Sequence, residues 1–345
     1  MSARASETSP GLWTLAWRRL QQDRVGMTAL IVVGCYLVVV LLALMGWVAP
    51  DWTREVGVNY APPVFWADDQ DETAQPSQAG QAPSGPVPLY GLQDPLATEL
   101  AAIRAQHPGA QEATEVPRRL SLPLGGDKWG HDVLTKVIKG SETSILVGLV
   151  AAILATLLGT VMGAVAGYFG RWVDDAFNWL YGVFTAIPYL LLVFAIAAVL
   201  QQKGVVTLVL ILGLTGWTGV FRLVRAEYLK HKSREYVLAA GAMGASHIRR
   251  MFVHILPNTS HVILVQLSQN VVGFIKSEVI LSFLGFGVPV DVVSWGSMIN
   301  EAQNELILGK WWQLAAAGVA MAILVTAFSM LTDALRDALD PKLKY

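Results

Sequence analysis

Lys276 and Glu278 are the two charged residues inside a long apolar run of this chain, VILVQLSQNVVGFIKSEVILSFL at Val262–Leu284. Charge at membrane depth is costly and marks an ion or substrate pathway by default. Two residues apart on a helix, they do not face each other. Two readings stand side by side: charges at an outer gate, or a lysine stem running to the interface beside a packed carboxyl group. Gln266 and Asn270, one turn apart, add a polar stripe suited to lining a path or to bonding a neighbouring helix.

Other chemistry finds little support. Hydrolysis within the membrane would need a clustered nucleophile, metal ligands or paired carboxylates. Asp174-Asp175 is a lone pair that reads as a loop end or helix cap, and the six histidines are scattered without metal-ligand spacing. The single cysteine, Cys35, lies in an apolar run and cannot close an intrachain disulfide. No GxxxxGK[ST] phosphate loop occurs, so any nucleotide chemistry must belong to another chain.

The second informative stretch is polar: EYVLAAGAMGASHIRRMFVHILPN at Glu235–Asn258, between the apolar runs Val205–Phe221 and Val262–Ile275. Tyr236, Val237, Ala239, Ala240 and Met243 recur at helical spacing. Gly244 breaks that helix, and Ser246 can cap a second one from His247. Leu256-Pro257 is expected to end the second, because proline disfavours helical geometry in the residue before it. Two short helices at an angle, with small residues at the bend, fit a groove on another protein.

The elements that must position these residues are membrane spans. Of 345 residues, 54% are hydrophobic and 15% charged, a composition of integral membrane proteins. Six runs are long enough, or nearly so, to cross a bilayer: Met27–Val48, Ser144–Tyr168, Ala176–Leu200, Val205–Phe221, Val262–Leu284 and Trp312–Leu331. The first is too long for a signal-peptide core and is read as a retained anchor. Arginine and lysine gather at the N-terminus, in residues 222–250 and in the tail, which places both termini and the Glu235–Asn258 loop in the cytoplasm. Gly11–Arg24 is amphipathic and is expected on the cytoplasmic membrane surface. Asp68–Pro88 reads as a linker, and Asp94–Gln106 as a short helix with an apolar stripe. Gly148, Gly159, Gly163 and Gly167 share a face of the second run and permit close helix approach. Ile187-Pro188 predicts a bend in the third.

The polar loop resembles the EAA loop of ABC-importer permeases, whose pattern is Glu-Ala-Ala, three residues, Gly, nine residues, Ile-x-Leu-Pro. Ala239, Ala240, Gly244, Leu256 and Pro257 match in register, while Leu238 and His254 replace the glutamate and the isoleucine. LGGDKWGHDVLTKVIKGSETSILVG at Leu124–Gly148, EVILSFLGFGV at Glu278–Val288 with Ser294-Trp295-Gly296, and LRDALDPKL at Leu335–Leu343 are similar to the "C" permease of the dipeptide, oligopeptide and nickel subfamily. The resemblance covers most of the chain except roughly Asp51–Ser121.

What this resemblance implies is specific. The fold is an all-α membrane protein with six spans, a MetI-like type I importer core with an extra N-terminal span and a periplasmic insert. The domains run as a cytoplasmic helix at 1–25, a first span at 26–49, an insert at 50–143, a five-helix core at 144–333 with a coupling loop at 226–258, and a tail at 334–345. Docking of an ATPase falls to Glu235, Ala239, Ala240, Gly244, Ala245, Arg249, Leu256 and Pro257. Gln266, Asn270, Lys276 and Glu278 are candidates for the pathway or outer gate. The chain itself is no enzyme and holds no cofactor or metal; ATP and Mg belong to partner ATPase subunits. The implied partners are a second homologous permease, two cytoplasmic ATPase subunits, a periplasmic or lipid-anchored binding protein and membrane lipid, with no nucleic acid. The setting is a bacterial inner membrane, and the cargo a peptide, nickel or another small solute. The competing reading is an ion-coupled secondary transporter using Lys276 and Glu278, which would want more buried charge and inverted repeats.

Overall fold

The computed structural model describes residues 12–66, 118–289 and 291–339. The expected linker Asp68–Pro88 and helix Asp94–Gln106 lie outside the described residues, as does the end of the tail. The chain divides into two compact units, Thr53–Val133 and the remainder, Met1–Trp52 with Leu134–Tyr345. Among the described residues the regular structure is helical, with four isolated β-bridges and no strand.

The smaller unit is organised by the LGGDKWGHD turn. Asp127 is fully buried, and its Oδ1 accepts from the backbone of Trp129 at 2.8 Å and of His131 at 2.9 Å. Its Oδ2 lies 2.9 Å from His131 Nδ1. Gly130 has φ +82°, and a side chain there would strike the carbonyl of Gly57. These residues shape a turn.

In the larger unit, α1 (Leu12–Gln22) precedes α2 (Arg24–Leu44), whose N-cap Asp23 accepts from Val25 N. Then come α3 (Val133–Phe169), α4 (Arg171–Thr185), α5 (Tyr189–Leu200), α6 (Val205–Thr215), α7 (Thr218–His231) and α8 (Glu235–Ala242). A three-residue turn, α9 (His247–Arg249), leads through a π turn (Arg250–Ile255) into α10 (Leu256–Phe283). Last are α11 (Trp295–Ile307) and α12 (Trp312–Leu339). Among the described residues four stretches are long and apolar enough to cross a membrane: α2, α3, joined α6–α7 and α12. Counting α4–α5 as one broken span makes five. At 28 residues α10 has the length, but Gln266, Gln269, Asn270, Lys276 and Glu278 keep it below that standard of apolarity.

Several boundaries differ from the sequence expectation. The second run begins at Val133 rather than Ser144 because polar residues such as Lys136 and Glu142 continue the helix outward; 37 residues make it roughly 55 Å long. The fourth run continues through Arg222 and Arg225 to His231, with only a short break at Gly216-Trp217. The bend at Ile187-Pro188 is sharp: α4 and α5 meet at 83°. Helix α1 does carry an apolar stripe, but Ala16 and Leu20 pack on Ala334, Ala338 and Leu339 of α12. Arg19 Nη1 donates to Ala338 O at 3.3 Å, so this cation also satisfies a carbonyl at the C-terminal end of α12.

Small residues decide how closely α3 approaches its neighbours. A Cβ at Gly159 would lie 2.6 Å from Trp217 O, one at Gly163 2.8 Å from Phe221 O, and one at Gly167 2.7 Å from Arg225 O. Real contacts of that length do not occur, so α3 and α7 touch backbone to backbone. Gly148 does the same against Ile275 of α10. Where α7 meets α4, Asp174 takes a fork from Arg225, Nε to Oδ1 at 2.5 Å and Nη2 to Oδ2 at 2.6 Å. Asp174, expected as a loop end or helix cap, lies in the first turn of α4 and is also an interhelical anchor.

Candidate functional site: an exposed loop on a packed core

The Glu235–Asn258 loop has two faces. Helix α8 ends in a pair of reversed bonds, Gly244 N to Gly241 O at 3.0 Å and Ala245 N to Ala240 O at 3.0 Å. This C-terminal motif needs a left-handed residue, and Gly244 supplies it at φ +85°. Ser246 then caps the next turn, its Oγ accepting from Arg249 N at 3.3 Å. Both expectations from the sequence are met here.

The second helix does not end where the proline predicts. Leu256-Pro257 terminates nothing: Ile255 and Leu256 are helical, and the chain runs without interruption into α10. The π turn explains this. Leu256 N bonds Met251 O, one residue further back than in an α-helix, and Pro257 occupies the first turn of α10, where its missing N–H costs least. Tyr228, fully buried on α7, donates its hydroxyl to the same Met251 carbonyl at 3.1 Å. Asn258 Nδ2 donates to His254 O at 2.7 Å. The second half of the loop is thus a continuous helical extension of α10.

Its inner face is core. Val237, Met251 and Ile255 join Ala164, Val220, Val224 and Tyr228 in one buried cluster. Ala240 is only 2% exposed, which corrects its assignment to the docking surface: its small side chain is needed inside this chain. The outer face carries Leu238 at 59% exposure, Met243 at 81% and Ile248 at 70%. Glu235, Ala239, Gly244 and Arg249 are exposed beside them, Pro257 lies exposed at the far end, and Ala245 and Leu256 are half-buried. A Cβ at Gly244 would meet nothing within 4 Å. Leu238 and Ile248 are what the sequence pattern missed, apolar residues off the buried stripe, while Met243, read as part of that stripe, faces outward instead.

Arg250 fastens the two halves. Its Nη2 donates to His247 Nδ1 at 3.0 Å, and its guanidinium lies 5.8 Å from the ring centre of Tyr168, near the end of α3. Tyr168 Oη lies 3.0 Å from the same His247 Nδ1. Because arginine only donates, that nitrogen must accept. Gly241 leaves room for the guanidinium, since a Cβ there would be 2.9 Å from Nη1. Arg250→Ala should therefore loosen the loop by about 1–2 kcal/mol through lost hydrogen bonding and cation–π contact. Hydrogen exchange should quicken across residues 235–255, while Arg249→Ala, whose side chain points outward, leaves it unchanged. Equal exchange in both variants would remove Arg250 from this role.

The four candidate pathway residues separate. Gln266 Nε2 donates to Asn270 Oδ1 at 3.3 Å, and Asn270 Nδ2 to Thr156 Oγ1 of α3 at 3.3 Å. This stripe bonds helix to helix. Glu278 is fully buried, accepts from Ser282 Oγ at 2.7 Å and faces Ser144 and Ser294. Around it the family-like segments converge: Trp295 N donates to Ser144 Oγ at 3.2 Å, Trp295 Nε1 to Val137 O at 3.0 Å, and Gly140 packs on the Ser294-Trp295 backbone. Glu278 is a packing and hydrogen-bonding residue that holds the start of α11 to α3 and α10, and it forms no pair with Lys276. Lys276 is exposed on the opposite side of α10.

The fold and this loop define a class: a helical membrane protein whose longest described polar loop is built on the packed core and presents apolar side chains outward. The sequence family described as the inner membrane component of binding-protein-dependent transport systems matches residues 159–345, and the N-terminal TM domain of oligopeptide transport permease C matches residues 11–63. The chain belongs to this family of ABC-importer permeases. It is 39% identical over 230 residues to the dipeptide transport system permease protein DppC of Bacillus subtilis strain 168, covering 65% of this chain and 72% of that one. It is 37% identical over 221 residues to the oligopeptide transport system permease protein OppC of the same organism, covering 64% and 72%. Among solved structures, a chain of the MetNI methionine ABC transporter, captured inward-facing, aligns at TM-score 0.49 and 14% identity, over 59% of this chain and 96% of that chain.

Proposed function

We propose that this chain is one of two permeases in an ATP-driven importer of di- or oligopeptides. The observation that carries the reading is the loop's exposed triad, Leu238, Met243 and Ile248, on a base fixed to the spans. Exposed apolar clusters on such a segment mark a protein interface. The peptide cargo is supported by the similar dipeptide and oligopeptide permeases of Bacillus subtilis. Two cytoplasmic ATPase subunits hold ATP and Mg, and one of them receives this loop through Glu235, Ala239, Gly244, Ala245 and Arg249 with the triad. The other permease completes the path, and a binding protein delivers cargo from outside. Six spans, counting α4–α5 and α10, leave both termini in the cytoplasm. ATP closes the ATPase pair, the loop carries that movement directly into α10, and the path opens outward.

Vesicles containing the assembled complex should accumulate labelled dipeptide when ATP and binding protein are supplied, and not when a proton or sodium gradient replaces ATP. Gradient-driven uptake without ATPase subunits would overturn the reading and favour an ion-coupled transporter.

A further inference from the structure

Lys276 takes no part in the packing of the core or in the docking loop. It shares one face of α10 with Gln269 and Gly273, at spacings of four and three residues, and all three are exposed. The other side of the same segment, Phe274, Ile275, Ser277 and Glu278, is buried. Among the described residues Lys276 makes no ion pair. A Cβ at Gly273 would meet nothing within 4 Å, so the surface beside the lysine is open. Further along, Gln269 and Val272 border an open groove with Ser329, Thr332 and Asp333 of α12.

This face differs from the lipid-like ones. The outward residues of α2 include Ile31, Leu37, Val38 and Leu41, and those of α12 include Val319, Ile323 and Met330. An ammonium group on a hydrocarbon-facing surface would cost several kcal/mol. Snorkelling offers limited relief. With the docking loop in the cytoplasm, α10 runs from inside to outside. Side chains on a helix lean toward its N-terminus, so the lysine stem sets out toward the bilayer interior. Phe283, the outer end of α10, is seven residues away, roughly 10 Å, in the other direction.

Resting on the peptide-importer reading, we infer that Lys276 lines the water-filled path and binds the terminal carboxylate of the passing peptide. Every unmodified linear peptide carries that group whatever its side chains. A single ammonium on a polar, open face therefore recognises the class of cargo without selecting its sequence. Lysine suits transit: it is a mobile point charge, and one charge-assisted bond in water-accessible surroundings releases as readily as it forms.

The test compares a dipeptide with its C-terminal amide in vesicles holding the full complex, for wild type, Lys276→Met and Lys276→Arg. Lys276→Met should slow uptake of the free acid about tenfold relative to the amide, the size of one charge-assisted bond, while Lys276→Arg keeps most of the discrimination. Equal slowing of acid and amide overturns the assignment. So does loss of the partner permease on purification of Lys276→Met, which would make the lysine an intersubunit contact. A wild-type complex that carries neither peptide overturns the peptide reading itself, and this assignment with it.

Discussion

Gly163→Leu is expected to abolish stable assembly of the helical core. A Cβ at Gly163 would sit 2.8 Å from Phe221 O, 3.0 Å from Val224 Cβ and 3.1 Å from Arg225 N. Two of these atoms are backbone and cannot turn aside. Even alanine forces α3 and α7 apart by a few tenths of an ångström, and leucine must separate them by much more. Overpacking costs about 1–3 kcal/mol where side chains can yield; here backbone must move, and the Asp174–Arg225 fork on the same helix moves with it. The yield of monodisperse complex in detergent should fall at least about fivefold for leucine and less for alanine, as marginal stability translates into abundance. Gly34→Leu serves as the control, because a Cβ at Gly34 meets nothing within 4 Å. Wild-type yield and melting temperature in Gly163→Leu would show that the two backbones do not touch.

That contact is legible in the amino-acid sequence, because glycines at four-residue spacing, Gly159, Gly163 and Gly167, have few uses in a membrane other than close approach. The Gly244 turn and the Ser246 cap are equally legible, since each depends on one residue type at one backbone conformation. Pro257 misleads for a physical reason. The rule about the residue before proline is a local steric bias, and Leu256 adopts the α region in spite of it, at φ −53° and ψ −44°, where a π turn carries its N–H back to Met251. Nothing in the local sequence announces the shift, and the Met251 carbonyl at its centre also accepts from Tyr228, which arrives from another helix. Glu278 shows the same limit. Its position in an apolar run leaves a gate and a packed carboxyl group equally open, and the serines it faces include Ser144 on α3, which only the tertiary fold brings near. Asp174 reads as a loop end or helix cap because its partner Arg225 is 51 residues away. Periodicity reports which face of a helix is apolar, and it cannot report which polar residue meets which.

The Met243→Asp/Ile248→Asp double variant is expected to insert normally and to lose its ATPase partner. Both side chains point away from the chain, at 81% and 70% exposure, and the buried cluster beneath them does not include them. Each, when covered by a partner, would contribute about 1.5–3 kcal/mol. Replacing both removes that and adds two carboxylates that must lose water on docking. Co-purification of the ATPase and substrate-stimulated ATP hydrolysis should therefore drop well beyond about tenfold. Ala240→Asp provides the contrast. That carboxylate would enter a position only 2% exposed, so it should lower the yield of folded protein before any docking is tested. Gly244→Val falls between them: its side chain has space, but φ +85° costs a branched residue about 1–2 kcal/mol, and the bend between α8 and α9 must change to relieve it. The three variants separate folding, loop shape and surface contact, which a single alanine scan would blur. If the double variant keeps wild-type co-purification and stimulation, the exposed triad is not the docking surface. The loop would then have to engage its partner through backbone and small residues alone.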